Sequence, residues 1–364
     1  MPLPPLRFVA TGSMHTARSD ATATLLKNGK VLIAGGGNLA DMYKEDVYAS
    51  AELYDPTSGT FTSTGSMTAA RSDATATLLQ NGKVLIAGGW GCSDPRQCTN
   101  VAEGAIAHNL ASAELYDPDT GKFTKTGSMA TPRTNATATL LPDGRVLLDG
   151  WAGWAELYDP HAGKFTRTGQ EEAISGGSNT AALLPGGKVL VTHTYSDTEA
   201  LLYHVATGKF TTISLALPRG TPSVKVQGVP VPRSGPTAAT LLHDGRVLLY
   251  DGGYLETYDS ATGACADAGF ISPGAQWNSP NATVLPDGGV LFEGGSLQGP
   301  VTYTFVNTRA AILYDPTGGP VRKGPTQVAR IAETATRLPN GSVLLAGGED
   351  TDGNPFASAE LFKP

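Results

Sequence analysis

Hydrophobic and polar positions alternate through this chain in one phrase that returns again and again. Ala21 to Leu26 mixes small, β-branched and leucine residues, Lys27-Asn28-Gly29 supplies turn chemistry, and Lys30-Val31-Leu32-Ile33-Ala34 resumes the apolar run. Two strands joined by a tight turn follow from that pattern. After Gly35-Gly36 and a loop of variable length, Ser50 to Tyr54 predicts a third strand. The Asp55-Pro56-Thr57-Ser58-Gly59 turn leads to a fourth at Thr60-Phe61-Thr62. The phrase returns with innermost strands starting near Ala21, Ala74, Ala136, Asn179, Thr237, Asn281 and Thr334. Repetition at a period of about 50 residues predicts a propeller or a solenoid built from four-stranded antiparallel units.

The last copy stops after Phe362 without its fourth strand, while Leu6 to Met14 matches Gly59 to Met67 almost position for position. An N-terminal strand at about 6–14 is therefore predicted to complete the unit formed by 330–364, which would close a ring and protect its sheet edges. The reading is all-β: a single domain over residues 1–364, seven-bladed, with four strands per blade.

Double glycines after the second strand, followed by an aromatic residue, carry a family resemblance: Gly35-Gly36 with Tyr54, Gly88-Gly89 with Tyr116, Gly294-Gly295 with Tyr314, and Gly347-Gly348 with Phe362. In these features the chain resembles the kelch-repeat β-propellers, whose superfamily includes the central domain of galactose oxidase. The resemblance implies the fold; kelch propellers include enzymes and binding modules alike. Galactose oxidase holds copper with two tyrosines, one cross-linked to cysteine, and two histidines. This chain has six histidines, and its Tyr203-His204 pair falls at an ordinary repeat position. No copper site, other metal site or cofactor is expected.

Composition narrows the partners. With 45 Gly, 25 Pro and a 40% hydrophobic fraction, the chain reads as a turn-rich β protein with a large core. A net charge of −7 without long Lys/Arg runs gives no footprint for a nucleic-acid backbone. No apolar stretch is long enough to predict a membrane span, and MPLPPLRF lacks the apolar core of a signal peptide. A soluble monomer is expected, in a compartment that the sequence does not fix. Cys92 and Cys98 lie close enough in one insert for a small disulfide loop, while Cys265 stands apart.

Function is sought where the copies differ. In a four-stranded meander the connections between the second and third strands share a rim with those between successive units, and the long inserts fall on that rim. The end of the second strand reads Ala-Gly-Gly at Ala34, Ala87 and Ala346, but Asp149-Gly150-Trp151, Thr192-His193-Thr194, Tyr250-Asp251-Gly252 and Glu293-Gly294-Gly295 in the third to sixth copies. If these converge on a funnel, they make a site for a polar small molecule or carbohydrate. His193 would work with Asp149, Asp251 or Glu293 in metal-independent proton transfer of the kind used in isomerisation, elimination or cyclisation. Trp90, Trp151 and Trp277, with Tyr250, are candidate stacking surfaces beside it. Decay of the double glycine, with local hydrogen bonding, is the plainer alternative.

Arg18, Arg71, Arg133 and Arg330 occupy one repeat position, with Arg233 one residue off register. They could bind a carboxylate or phosphate bidentately. Their recurrence favours a structural role, with loop carbonyls or Asp20 and Asp73 as partners. In the sixth copy Trp277 stands at the arginine position. The competing function is a non-catalytic module whose rim binds a protein partner.

Overall fold

The structure, a computed structural model, describes residues 5–38, 46–94, 107–150, 153–170, 179–194, 196, 198–215, 225–226, 229–230, 235–272, 276–298, 305–318 and 321–364. The described residues form strands, turns and irregular segments without a helix, and the strands make many four-stranded antiparallel sheets, as in a propeller.

Seven of these sheets follow one another along the sequence, and the first shows how each is built. Thr22–Leu25, Val31–Ala34, Ala51–Asp55 and Thr60–Ser63 pair in chain order, with Val31 opposite both Leu25 and Tyr54. The first strands of the seven sheets pack each on the next, from Thr22–Leu25 to Ile331–Arg337, and the last returns to the first. Both faces of a sheet are therefore covered. In the second strand, Val31 and Ile33 pack with Leu344 and Ala346 of the seventh sheet, while Leu32 and Ala34 pack with Val84 and Ile86 of the second. Burial on both faces is the reason this strand reads as an unbroken apolar run rather than an alternation.

Arg7–Ala10 pairs antiparallel with Ala359–Lys363, Phe8 opposite Phe362, and completes the seventh sheet. The residues after it repeat an internal link. Thr11 Oγ1 bonds to Tyr54 Oη at 2.9 Å just as Thr64 Oγ1 does to Tyr116 Oη at 2.9 Å. The Gly12 N–H donates to Gly59 O, and the Gly65 N–H to Gly121 O, each at 2.9 Å. The N-terminal segment thus makes the contacts that an internal fourth strand makes.

Inserts on one rim form smaller sheets: Ala70–Ser72 with Trp90–Cys92 and His108–Asn109, and Gln276–Asn278 with Ser296–Gln298 and Phe305–Asn307. Cys92 is disulfide-bonded and Cys265 is a free thiol. Cys98 lies outside the described residues. No helix among the described residues is long and apolar enough to cross a membrane.

Candidate functional site

The recurring arginines are buried internal supports rather than a ring of groups open to a carboxylate or phosphate ligand. Arg18, Arg71, Arg133 and Arg330 are each at most 3% exposed. Arg71 shows the pattern: Nη1 donates to Gly88 O at 2.7 Å and Ser112 O at 3.0 Å, and Nη2 to Glu114 Oε1 at 3.0 Å. Arg18 pairs in the same way with Glu52, Arg133 with Glu156, and Arg330 with Glu360. Each glutamate also accepts backbone N–H groups of the incoming loop, such as those of Thr68 and Ala69 at Glu114. The expected partners Asp20 and Asp73 are not used. The glutamate comes from the repeated Ala-Glu-Leu-Tyr phrase, a signal that sequence reasoning passed over. Arg233 lies outside the described residues.

Trp277 fills the arginine's place with a different chemistry. It is fully buried, and its Nε1 donates to Gly294 O at 2.7 Å, the equivalent of the carbonyl that Arg18 Nη1 reaches at Gly35. Where the first, second, third, fifth and seventh copies carry glutamate the sixth has Ile312, packed in the same cluster as Trp277. Tyr250 is equally internal: its ring packs against Trp277 and Phe292, and its hydroxyl donates to Trp277 O at 2.5 Å. Neither forms a stacking surface on the rim. Trp90 is half-buried, packed with Val47, Ala70 and Cys92. Trp154 is 38% exposed, and its carbonyl accepts from Arg133; Trp151 lies outside the described residues.

Asp149, His193, Asp251 and Glu293 do not share one funnel. Pairing with the first strand puts Asp149 opposite Thr137 and Glu293 opposite Asn281, the register of Ala34 with Thr22. In the fourth sheet Thr192 holds that register, opposite Thr180, and His193 lies one residue further; in the fifth, Tyr250 holds it and Asp251 lies one further. Successive strand residues face opposite sides, so these groups are divided among seams between sheets. All four are buried. Burial lowers the His193 imidazole, and the charge of Asp149 opposes that shift, which pairs these two at one seam. The charges acting on Glu293 come instead from Glu333, Arg330 and Glu360.

A cavity of about 320 Å³ opens at the axis, where the chain enters the innermost strands. Its wall carries Asp20, Asp73, Asn135 and Glu333, with small residues between them. Asp20, Asp73 and Asn135 each directly follow the buried arginine and its Ser or Thr neighbour, and adopt left-handed backbone with φ of 52°, 50° and 49°. Aspartate and asparagine tolerate that region better than most side chains. Backbone bonds link the entries around the mouth: the Asp20 N–H donates to Ala332 O at 3.1 Å, that of Asp73 to Asp20 O at 3.1 Å, and that of Asn135 to Asp73 O at 3.2 Å.

The electrostatics of this mouth are those of crowded carboxyls. Burial, then the charges of Asp73 and Glu349, push Asp20 up to about 7 against the opposing hydrogen bond of Ser19. Burial likewise raises Asp73 and Glu349. Such a wall can accept hydrogen bonds from a polar ligand, and Asp20 can give or take a proton near neutral pH. Sequence reasoning had considered Asp20 and Asp73 only as arginine partners.

No family model matches the sequence, and no curated protein matches it. Among solved structures the chain is similar to a fungal alcohol oxidase of the AA5 family in complex with copper, with a TM-score of 0.68 and 15% identity over 98% of this chain and 76% of that one. It is also similar to the protein YjhT, with a TM-score of 0.56 and 12% identity over 96% of each chain. These likenesses show the fold. The oxidase's copper raises the question of a matching donor set here. Tyr203 is buried with its hydroxyl on Thr168, the adjoining His204 bonds Thr211, and the described residues contain no group of three His, Cys, Asp or Glu able to hold a metal ion. Among the described residues no donor set matches that copper.

Proposed function

We propose that the chain is a seven-bladed kelch-type β-propeller, one domain closed by its N-terminal strand, that binds a polar small molecule or carbohydrate at the axial mouth of its variable-loop face. The cyclic packing of the innermost strands and the double glycines support the architecture. One observation carries the function: the axial cavity is walled by Asp20, Asp73, Asn135 and Glu333, with Asp20 poised near neutral pH. The ligand would present hydroxyl or amine hydrogens to these acceptors. Asp20 would move a proton in an isomerisation, elimination or cyclisation, chemistry that needs one group able to change protonation at working pH.

A thermal-shift screen of the wild type and of Asp20→Asn/Asp73→Asn against neutral sugars, amino sugars, sugar acids and small alcohols tests the reading. A ligand that binds only the native state raises its stability with concentration over Kd. The expected result is a shift in the wild type that shrinks at least tenfold in apparent affinity in the variant. A shift of equal size in both places the ligand elsewhere.

One observation favours the second reading, a protein-interaction module. Phe305 and Val306 are 53% and 55% exposed on a short strand of a rim sheet. Absence of any ligand shift, with loss of a protein partner on Phe305→Ser/Val306→Ser, would select it.

A further inference from the structure

Two departures from the repeat meet at one seam. Glu293 stands where three other copies have Ala34, Ala87 and Ala346, and Glu333 where three have Ala21, Ala74 and Ala136. Glu293 ends the second strand of the sixth sheet, and Glu333 lies in the first strand of the seventh. Glu293 is fully buried and Glu333 is 7% exposed. The Glu333 carboxylate lies directly over Gly294, where a β-carbon would come within 1.7 Å of Oε1. That oxygen accepts from Asn281 Nδ2 at 3.1 Å, whereas neither Glu293 oxygen accepts a hydrogen bond from a protein N–H or ordinary O–H donor.

Charge counting then constrains the pair. The cation acting on both carboxyls is Arg330, and its Nη atoms are already held by Gly347 O at 2.6 Å, Ser358 O at 3.1 Å and Glu360 at 3.5 Å. Asp20, across the cavity wall from Glu333, adds another acid. Glu293, Glu333 and Glu360 against one arginine would leave uncompensated negative charge in the interior, which a protein relieves by protonation. A proton on one carboxyl also supplies the donor that the Glu293 oxygens lack.

We propose that Glu293 and Glu333 share one proton in the folded protein, and that this proton holds the sixth and seventh sheets together beside the axial cavity, so that alkali opens this seam before the rest of the ring. The directions agree: burial, followed by the neighbouring Glu333, raises Glu293, and burial raises Glu333. A carboxyl raised in the folded state retains a proton that the unfolded chain has already released. Stability therefore falls as pH rises above the ordinary carboxylate range, up to tenfold in the folding constant per pH unit for one proton, until the pair itself titrates.

The test compares wild type and Glu293→Gln by denaturant unfolding from pH 5 to 9, with hydrogen exchange read by segment. The variant keeps a hydrogen-bond donor without a titratable proton. Its folding constant should fall less steeply than the wild type's, by up to tenfold per pH unit. In the wild type, protection of 290–293 and 331–337, corrected for intrinsic exchange, should drop at least tenfold more than that of 84–87 between pH 6 and 9. Equal slopes in the two proteins, or an even loss of protection around the ring, would overturn the proposal. If Glu293→Gln does not fold, Glu333→Gln and the wild-type exchange pattern decide it on the same criteria.

Discussion

The second and sixth copies of the repeat solve one problem with opposite chemistries. Both must hold the loop entering the innermost strand against the end of the second strand. In the second copy Arg71 does so from inside, reaching Gly88 O and Glu114. In the sixth Trp277 reaches Gly294 O with one indole N–H and packs in a cluster with Ile312. The charge pair has been exchanged as a unit for an apolar pair. A buried ion pair and a well-packed hydrophobic pair of similar size can be close in stability, whereas half of either is costly. An unusual aromatic at a rim position is therefore no sign of a ligand when its partner has changed with it.

The largest effect is expected from mixing the two solutions. Trp277→Arg places a guanidinium against Ile312 with no carboxylate, and should cost about 4–5 kcal/mol or prevent folding. Adding Ile312→Glu should restore a substantial part, measured by denaturant unfolding; no recovery would mean that the two supports are not interchangeable. Next comes Arg71→Met, which leaves Glu114 buried without its cation and should cost about 3–5 kcal/mol. Arg71→Met/Glu114→Leu should be less damaging than the sum of the single changes, with a coupling of about 1–3 kcal/mol. Additive losses would show that the pair does not act as a unit.

The axial acids should respond in the other direction. Removing one raised carboxyl relieves repulsion, so Asp20→Asn should stabilise the protein by about 1 kcal/mol at pH 8. Little gain should remain at pH 4, where the folded carboxyl is protonated and the unfolded one about half so. The sign follows from the raised Asp20: its destabilising contribution grows as pH rises from the unfolded value towards about 7. A loss of stability at pH 8 would make Asp20 a structural residue like the arginines.

The architecture was readable because a repeated strand is buried in the same way each time it occurs. Val31-Leu32-Ile33-Ala34 and its relatives report burial on two faces, and the match of Leu6 to Met14 with Gly59 to Met67 foretold the pairing of Arg7–Ala10 with the last strand. The site was less readable, because side-chain direction changes with every residue along a strand. His193 and Asp251 sit one position beyond Asp149 and Glu293 in the repeated phrase, and the consequence of that single step, a turn to the opposite face of the sheet, is plain only from the strand register. Asp20 and Asp73 read only as arginine partners for the opposite reason. They look like repeat residues, and only the packing of the innermost strands on one another gathers them around one cavity.

The most direct measurement is the titration of the Asp20 side-chain carboxyl by ¹³C NMR of protein labelled at aspartate, with its resonance assigned by the loss of one signal in Asp20→Asn. The account predicts a midpoint near 7, moving down when Asp73→Asn removes the neighbouring charge. An ordinary midpoint near 4, unchanged by Asp73→Asn, would contradict the claim that the axial mouth holds a carboxyl ready to exchange a proton at neutral pH.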